Sequence, residues 1–430
     1  MKLAVFLPNW VGDAAMATPA LAAIRTDFPD AELVGVMRPV IADVLVGSGL
    51  IDKILTYHPR GKDPEQRGLR FVSRLRAERC DTAILFPNSL RSAWLAWLSG
   101  ARRRIGFDRD LRDWLLTDRV PSKSKAVPHP ALEEYNRLVE RFGCTSLSNR
   151  MTLAVTADDV ATLNAFWSKQ PHGLRDRGVV AFNTGGAFGP AKSWPRESFA
   201  ELARRIVDEL GRTVLILCGP AERDEARWIA AAADRPEVIS LADDLPSGPL
   251  APAAGERARV RGPSASQDEI PTRSVSEDER SLPRPTPNER SSSLTLRASV
   301  DRRSSNEHSP PHALPQSAGE GTKPEPLTLS IGLTKAAVAD SELLVTTDSG
   351  PRHFAAAFDV PVVTLFGPTH IAWSETHFAK ATHLQIVVDC GPCQQRACPL
   401  GHHRCMRDLT VDQVFAAVRN QLSSQQSRAA

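Results

Sequence analysis

The sequence has few aromatic residues, little net charge and no long apolar run, and each shortage excludes a class of protein. Aromatic residues make up 6% of the 430 residues, and the formal net charge is +3 at pH 7. So small a charge argues against a strongly basic nucleic-acid-binding protein and against an acidic tail protein. Because no run of about 18 apolar residues occurs, we expect no transmembrane helix. The length predicts two or three domains, each large enough for its own core.

Cysteine is scarce outside one short segment. Four of the seven cysteines fall between Cys390 and Cys405, which is unlike the spread-out disulfide framework of a secreted protein. Residues 1–8 contain a short apolar run without the long hydrophobic region or the cleavage site of a signal peptide. We therefore expect a cytoplasmic protein.

One long segment lacks every residue type that builds a core. From about 246 to 326 there is no Phe, Trp, Tyr, Met or Cys, whereas Pro, Ser, Arg and Glu are abundant. Such a segment cannot bury enough apolar surface to offset its ordering entropy. We predict a disordered insert in a surface loop; a regulatory or docking role is the alternative.

Short apolar runs alternate with helical patterns on both sides of this segment, which is typical of βαβ units on a parallel sheet. In the first half, strands are predicted at 3–7, 32–37 and 82–86, with helices at 14–25, 41–47 and 89–98. In the second half, strands are predicted at 178–182, 213–218, 343–346 and 360–366, with helices at 197–210, 221–233, 330–339 and 350–357.

The predicted class is therefore α/β, with two Rossmann-like doubly wound domains that face each other across a cleft. We place the first at residues 1–170 and the second at 171–430, interrupted by the insert at about 246–326. In such folds ligands bind beyond the carboxyl ends of the strands, so the chemistry should lie in the loops that follow strands.

Three such loops have unusual compositions. In the first, residues 8–13, Asp13 lies at a helix start, where it is either a functional carboxylate or only an N-cap. The second, residues 183–195, combines three glycines with Thr184 and Lys192, which suits a diphosphate. The third, residues 346–353, ends a strand and begins a helix at Ser349 and Gly350, with His353 one turn into the helix. Neither a nicotinamide fingerprint nor a P-loop is present.

Taken in order, these loops resemble glycosyltransferase family nine, the heptosyltransferases of lipopolysaccharide core assembly, most closely the heptosyltransferase II branch. The resemblance rests on Leu-Pro-Asn-Trp-Val-Gly-Asp, Gly-Gly-Ala-Phe-Gly-Pro-Ala-Lys-Ser-Trp-Pro and Thr-Asp-Ser-Gly-Pro-Arg-His-Phe-Ala-Ala-Ala. Val-Val-Thr-Leu-Phe-Gly-Pro-Thr and Cys-Pro-Leu-Gly-His-His-Arg-Cys-Met extend it. It covers nearly the whole chain outside the insert.

The resemblance implies a GT-B fold and inverting transfer of heptose from ADP-L-glycero-D-manno-heptose without a metal. Asp13 matches the family's catalytic base. The donor diphosphate is expected near residues that fall in the second and third loops: Thr184, Gly185, Lys192, Asp348, Ser349, Gly350 and His353. Asp348 either orients the sugar or braces the loop. Without a metal, we expect Lys192, His353 and the helix dipole at Gly350 to supply the positive field.

The implied acceptor is the Kdo–lipid A core that already carries one heptose, at the cytoplasmic face of the inner membrane. Candidate contacts to its carboxylates and phosphates are Arg60, Lys62, Arg91 and the run Arg102–Arg104, although each is also compatible with a solvated surface. Together they predict a basic surface and peripheral membrane contact. No nucleic-acid partner is expected.

Alternative functions remain at this point. The chain could be a heptosyltransferase I or a family-nine enzyme for another sugar. A GT-B sugar-nucleotide epimerase would place carboxylates on both sides of the sugar. A binding module without catalysis would need no base, and Asp13 would be dispensable.

The cysteine-rich segment raises the question of a metal. Cys390, Cys393, Cys398 and Cys405 follow a C-x2-C-x4-C-x6-C pattern with His402 and His403 inside it. Four thiols so close would suit a tetrahedral structural zinc, whereas a local disulfide and free thiols are the alternatives. We expect no catalytic role, because the segment is predicted to follow the last strand–helix unit and to lie outside the three loops.

Overall fold

A computed structural model describes residues 1–124, 126–186, 188–242 and 329–429. The predicted insert at about 246–326 lies outside these residues. Within these ranges, no helix combines the length and the apolar composition that crossing a bilayer requires.

The first half of the chain forms a parallel sheet covered by helices. Its strands are β1 (Lys2–Phe6), β2 (Glu32–Met37), β3 (Lys53–Thr56), β4 (Thr82–Leu85), β5 (Arg103–Phe107) and β6 (Asp118–Val120). Their order is β3-β2-β1-β4-β5-β6, and every neighbouring pair is parallel. The helices are α1 (Val11–Met16), α2 (Thr18–Asp27), α3 (Pro39–Leu45), α4 (Gly68–Ala77), α5 (Leu90–Leu98), α6 (Ala131–Phe142) and α7 (Ala157–Trp167).

The second half repeats this architecture. Its strands are β7 (Val179–Asn183), β8 (Thr213–Leu217), β9 (Val238–Ser240), β10 (Leu343–Thr347), β11 (Val362–Phe366) and β12 (Ala381–Gln385), and its helices are α8 (Arg196–Leu210), α9 (Arg223–Ala233), α10 (Ile331–Ala339), α11 (Pro351–Ala357), α12 (Arg404–Arg407) and α13 (Val411–Ala429). The order β12-β11-β10-β7-β8-β9 is again entirely parallel. The predicted α/β class with two doubly wound sheets is confirmed. The domain limits at residue 170 stay a prediction.

Apolar side chains cover both faces of the first sheet, as expected for a parallel sheet. Successive strand residues point to opposite faces, so Leu3 and Val5 of β1 join one apolar cluster and Ala4 and Phe6 join another. The second cluster includes the inner residues of α4 and α5. The outer side of α5 is therefore turned away from the core.

One helix that was predicted to be continuous is interrupted in the structure. Residues 14–25 were expected to form a single helix, but α1 ends at Met16 and α2 begins at Thr18. Pro19 lies in the first turn of α2; it has no N–H to donate, and its ring disfavours a helical residue before it. The break ends α1 after six residues, and Asp13 lies in its first turn.

Deleting residues 246–326 and joining the ends is expected to leave soluble yield, thermal midpoint and activity close to those of the full chain. The reason is that the segment contains no core-forming aromatic or sulfur-containing residue. Differential scanning calorimetry and an activity assay of the two proteins check this. Loss of soluble expression, or loss of activity in soluble protein, would contradict the prediction.

Candidate functional site

Asp13 lies in α1, just beyond the carboxyl end of β1. Trp10, not Asp13, is the N-cap residue, and no side chain caps this helix, so the N-cap alternative for Asp13 is excluded. Its carboxylate oxygen Oδ1 instead accepts a hydrogen bond of 3.2 Å from the hydroxyl of Tyr135 in α6. The carboxylate is thus held by a residue 122 positions away in the sequence.

The pKa of Asp13 is raised to about 6. Burial is the main cause, and the nearby charge of Asp348 acts in the same direction. The hydrogen bond from Tyr135 and the charge of Lys192 oppose the rise. Such a carboxylate is ionised at neutral pH yet is a stronger base than an ordinary aspartate, which suits a general base.

The first loop meets the third loop through two glycines. A Cβ atom on Gly12 would lie 2.9 Å from Cδ2 of His353, and a Cβ atom on Gly350 would lie 2.9 Å from Cγ1 of Val11. Only residues without a Cβ allow the two backbones to approach this closely. The contact brings Asp13 to the carboxyl edge of the second sheet.

Lys192 and Asp348, from the second and third loops, form a largely buried ion pair. The ammonium Nζ of Lys192 donates to Oδ2 of Asp348 at 2.5 Å and to its backbone carbonyl at 2.9 Å. The same carboxylate accepts from the hydroxyls of Thr369 and Ser374, at 2.7 and 3.0 Å. Burial opposes ionisation of Asp348, but Lys192 and Arg352 outweigh it and lower its pKa to about 2. Asp348 therefore stays an anion and braces the two loops.

His353 is buried beside Arg352. Burial and the charge of Arg352 lower its pKa to about 3, which favours a neutral imidazole at neutral pH when no ligand is bound. This argues against the predicted contribution of His353 to the positive field. The imidazole can still act as a hydrogen-bonding group.

Two buried polar atoms beside these loops lack protein partners among the residues that the structure describes. They are Nδ1 of His353 and Oγ1 of Thr184. Buried polar atoms in folded proteins are nearly always hydrogen-bonded, so a ligand that reaches these two atoms would satisfy them. This observation supports a binding site at the second and third loops, to which Ser349, Gly350 and Gly185 also belong.

The structure reveals functional-site residues that the sequence argument missed. Asn183 joins the second and third loops, because its amide donates to the carbonyl of Gly185 and to the hydroxyl of Ser349, at 3.0 and 2.9 Å. Glu222 lies against Gly185 and accepts a 2.8 Å hydrogen bond from the backbone of Gly219. Asn183 ends a strand and opens the glycine-rich loop, so its position was a usable signal. Glu222 carried no such signal.

The three tentative acceptor residues lie at the same edge of the first sheet as Asp13. Arg60 and Lys62 are exposed in the loop after β3, and Arg91 is exposed in the first turn of α5, after β4. Because these loops follow parallel neighbouring strands, they share the carboxyl edge with the loop that carries Asp13. Their role stays a prediction.

The run Arg102–Arg104 does not belong to this edge, and the expectation that it contacts acceptor is wrong. It lies at the beginning of β5, the opposite end of the strand. Arg103 is paired with Asp118 at 3.1 Å, and Arg104 donates to the carbonyls of Leu115 and Ala101. Two of these three guanidinium groups therefore stabilise the fold.

The cysteine-rich segment touches the second loop, contrary to expectation. The carbonyl of Arg396 accepts a 3.1 Å hydrogen bond from the backbone of Ala191. The guanidinium of Arg396 lies 5.7 Å from the ring centres of both Trp10 and Phe188. The segment lies between β12 and α13, so it is part of the last strand–helix unit and does not follow it, as was expected. Arg396 is a further cation at the first two loops that the sequence argument missed.

The four cysteines, Cys390, Cys393, Cys398 and Cys405, carry free thiols and line one small cavity together with His402. In the part of the chain that the structure describes, no group of three or more His, Cys, Asp or Glu side chains is arranged to hold a metal ion. Hydrogen bonds from the backbone of His403 and its neighbours nevertheless lower the pKa of Cys398, which favours a thiolate. A structural zinc stays a prediction.

Elemental analysis of protein purified without a histidine tag checks the zinc prediction. If the cysteines hold a structural zinc, the protein contains about one zinc per chain and a Cys393→Ser/Cys398→Ser variant loses it, because three or four thiolates are needed to hold the metal. Less than about 0.2 zinc or iron per chain, with four titratable thiols, would show that these cysteines do not hold a metal.

Comparison with known proteins identifies the family of this chain. The family model described as glycosyltransferase family 9 (heptosyltransferase) matches residues 68–242 and 328–404. Lipopolysaccharide heptosyltransferase 2 of Salmonella typhimurium is 23% identical over 99% of both chains. Lipooligosaccharide heptosyltransferase 2 of Campylobacter jejuni is 22% identical, also over 99% of both.

A solved structure shows the same fold. The structure of E. coli ADP-heptose LPS heptosyltransferase II superimposes with a TM-score of 0.67 at 20% identity, covering 99% of this chain and 100% of that one. The likeness confirms the predicted GT-B fold. Because the family model matches more than half of the sequence, including the second and third loops, the chain belongs to glycosyltransferase family 9, the heptosyltransferases.

Proposed function

We propose that this enzyme transfers L-glycero-D-manno-heptose from ADP-heptose to the heptosyl–Kdo–lipid A inner core, with inversion at the anomeric carbon. The observation that carries the proposal is the position of Asp13. Its carboxylate, with a pKa raised to about 6, lies close enough to Lys192 and Asp348 to sense the charge of both. The nearness of a candidate base to a candidate cation for the leaving group supports the proposal.

In the proposed reaction, Asp13 accepts the proton of an acceptor hydroxyl as its oxygen attacks the anomeric carbon. A new carbon–oxygen bond forms from the face opposite to the diphosphate, the old bond to the diphosphate breaks, and ADP leaves with both electrons of that bond. Tyr135 keeps the carboxylate in place through its hydrogen bond. Proton transfer by a positioned carboxylate accelerates such reactions by about 10²–10⁴-fold.

Lys192 would neutralise charge on the leaving diphosphate. It lies beside both Asp13 and the third loop. Asp348 already binds it, but that carboxylate also receives hydrogen bonds from Thr369 and Ser374. Asp348 therefore keeps partners when the ammonium turns toward a diphosphate, which lowers the cost of the exchange.

Further donor contacts are proposed for the unpartnered polar atoms of the second and third loops. The hydroxyl of Thr184 and Nδ1 of His353 lack partners among the described residues, and a sugar nucleotide supplies hydroxyl and phosphate oxygens for both. The neutral state of His353 makes it a directional hydrogen-bonding group rather than a charge. No metal is required in this scheme.

For the acceptor, we propose that Arg60, Lys62 and Arg91 bind its carboxylates and phosphates. All three are exposed at the edge of the first sheet that carries Asp13. The acceptor is anchored in lipid, so the enzyme would work on the cytoplasmic face of the inner membrane as a peripheral protein.

The competing functions differ in how many basic carboxylates they require. An epimerase would need a second base on the other side of the sugar, and Asp348 is the nearest candidate. Lys192 and Arg352 lower the pKa of Asp348 to about 2 although burial opposes them. Asp348 is therefore too weak a base to remove a proton from carbon. A binding module without catalysis would gain nothing from a buried Asp13 with a raised pKa.

The test is to incubate the purified protein with ADP-heptose and each of three acceptors, and to follow products by mass spectrometry. The acceptors are Kdo–lipid A, heptosyl–Kdo–lipid A and a core that already has two heptoses. We expect one heptose to be added to heptosyl–Kdo–lipid A. Addition to Kdo–lipid A alone would identify a heptosyltransferase I instead. No addition to any acceptor, with intact ADP-heptose recovered, would overturn the proposal.

A further inference from the structure

A cluster of exposed tryptophan and leucine side chains lies on the outer side of α5. Its members, which we call the tryptophan face, are Leu90, Trp94, Trp97, Leu111 and Trp114. They are 45%, 44%, 47%, 87% and 65% exposed. Large exposed apolar residues in a contiguous group mark an interaction surface, whereas single ones need no explanation.

The helix is apolar on both sides, which is unusual for a surface helix. Ala93, Leu95 and Ala96 face the core, while residues 90, 94 and 97 follow the i, i+4, i+7 spacing of one outer stripe. An ordinary surface helix has charged or polar residues at such outer positions. Here a leucine and two tryptophans occupy them.

The indole rings form one connected surface. The ring centres of Trp94 and Trp97 are 5.3 Å apart, and Trp114 meets Trp94 edge-on at 6.1 Å. Trp114 belongs to a short 3₁₀ turn, Asp113–Leu115, after β5. Residues from two separate segments thus build the same patch, so it does not arise from the composition of one helix.

Leu111 is held out of the protein by a rigid loop. Asp110 and Leu111 both have left-handed backbones, with φ values of 59° and 56°, a conformation that leucine rarely adopts. The next residue, Arg112, is fully buried and donates to the carbonyls of Phe107 and Pro87, at 2.9 and 2.5 Å. The buried guanidinium fixes the loop from below, and the strained backbone keeps the leucine side chain in solvent.

The charges around the tryptophan face favour a negatively charged partner. Residues 87–107 contain four arginines and no acidic residue. Arg103 pairs with Asp118 and Arg104 donates to backbone carbonyls, which leaves the other two for a partner. Arg91 and Arg102 are exposed at the two ends of α5. Asp110 and Asp113 are the acidic neighbours, and they lie on the loop side of the patch, next to Leu111 and Trp114. Tryptophan prefers the headgroup region of a bilayer, and arginine binds anionic headgroups.

The position of the face relates it to the reaction. Leu90 begins α5 and Leu111 follows β5, so both lie at the carboxyl edge of the first sheet. Asp13 and the proposed acceptor residues lie at this same edge. A bilayer in contact with the face would therefore hold a lipid-anchored acceptor beside the base.

We propose that the tryptophan face docks the enzyme onto an anionic lipid bilayer. The tryptophan face would be the surface that makes the peripheral membrane contact proposed above. This inference rests on the proposed function only in taking the acceptor to be anchored in lipid. The indoles and leucines enter the headgroup region, and Arg91 and Arg102 contact its phosphates. No bond is made or broken in this step.

The experiment measures binding to vesicles without donor or turnover. Full-length protein is floated with vesicles of phosphatidylethanolamine and phosphatidylglycerol, and separately with phosphatidylcholine vesicles. We expect binding to the anionic vesicles only, with quenching of tryptophan fluorescence by brominated lipid. A Trp94→Ala/Trp97→Ala/Leu111→Ser variant should bind at least about tenfold more weakly, and Arg102→Gln should reduce the dependence on phosphatidylglycerol.

Matched controls separate docking from folding and from catalysis. Val387→Ser removes an apolar side chain that is 97% exposed elsewhere, and it should leave vesicle binding unchanged. The triple variant should keep the thermal midpoint and its kcat/KM for a deacylated, water-soluble acceptor, but lose transfer to acceptor embedded in vesicles.

Three results would overturn the docking proposal. The first is equal vesicle binding by the triple variant and the parent protein. The second is the absence of binding by a parent protein that transfers heptose, which would leave the proposed function intact. The third is a dimer in light scattering that the triple variant converts to a monomer, because the face would then contact a second copy of this chain. Vesicle binding without any heptose transfer would instead support docking and contradict the proposed function.

Discussion

Replacing Asp13 by asparagine is expected to lower kcat by about 100-fold or more, with little change in affinity for ADP-heptose. The amide keeps the shape of the side chain and can still meet the hydroxyl of Tyr135, which lies 3.2 Å from Oδ1. It cannot accept a proton from the acceptor. Steady-state kinetics with heptosyl–Kdo–lipid A and calorimetric titration of ADP-heptose measure the two effects separately.

The same substitution should not destabilise the fold. Because burial raises the pKa of Asp13 above its ordinary value of 3.8, ionisation of this group lowers stability as the pH rises from that value through about 6. At pH 7 and above, the neutral amide removes this cost, so we expect a thermal midpoint equal to or above that of the parent. Asp30→Asn, in an exposed turn, is the matched control. A kcat within about threefold of the parent would defeat the assignment of Asp13 as base.

Replacing Lys192 by alanine is expected to weaken ADP-heptose binding by about 10- to 100-fold, equivalent to about 1.5–3 kcal/mol for a buried hydrogen bond to a charged group. Transfer should slow as well, because the leaving diphosphate loses a positive neighbour. Calorimetric titration of ADP-heptose measures the first effect, and single-turnover kinetics measure the second.

Two controls make this result specific to the diphosphate. Lys380 forms a similar ion pair with Asp359, also at 2.5 Å, but at an exposed position, and Lys380→Ala should change neither quantity. Lys192 also lowers the pKa of Asp13, so the variant is assayed above about pH 8, where Asp13 is ionised in both proteins. Unchanged affinity together with unchanged turnover would show that the second loop does not hold the diphosphate.

Much of the fold was predictable because its signals are local. The buried strands are short apolar runs, and the predicted strand at 32–37 matches β2 at both ends. Ser89 and Ser330 are serine N-caps, and each lies directly before its observed helix. Strands β3, β5, β6, β9 and β12 were missed, because most of them are short or contain exposed or charged residues.

The site was only partly predictable, because its electrostatics depend on contacts between distant segments. Loop position pointed to Asp13 and Lys192, and the family resemblance added Asp348, but the hydrogen bond from Tyr135 joins residues 122 positions apart. The neutral state of His353 depends on burial and on Arg352, and neither effect can be read from spacing. Arg352 itself lies inside the third motif and was overlooked, although it holds Asp348 ionised.

The pH dependence of kcat/KM tests most directly whether Asp13 is the base and whether its pKa is raised. This quantity reports the ionisation of the free enzyme. Asp13 acts as the carboxylate, so kcat/KM should be level above its pKa and fall as the pH decreases below about 6. In Tyr135→Phe the carboxylate loses a hydrogen bond that lowers its pKa, so the fall should move to higher pH. An acidic limb that stays in place in Tyr135→Phe, or a parent enzyme with full kcat/KM well below pH 6, would contradict the account.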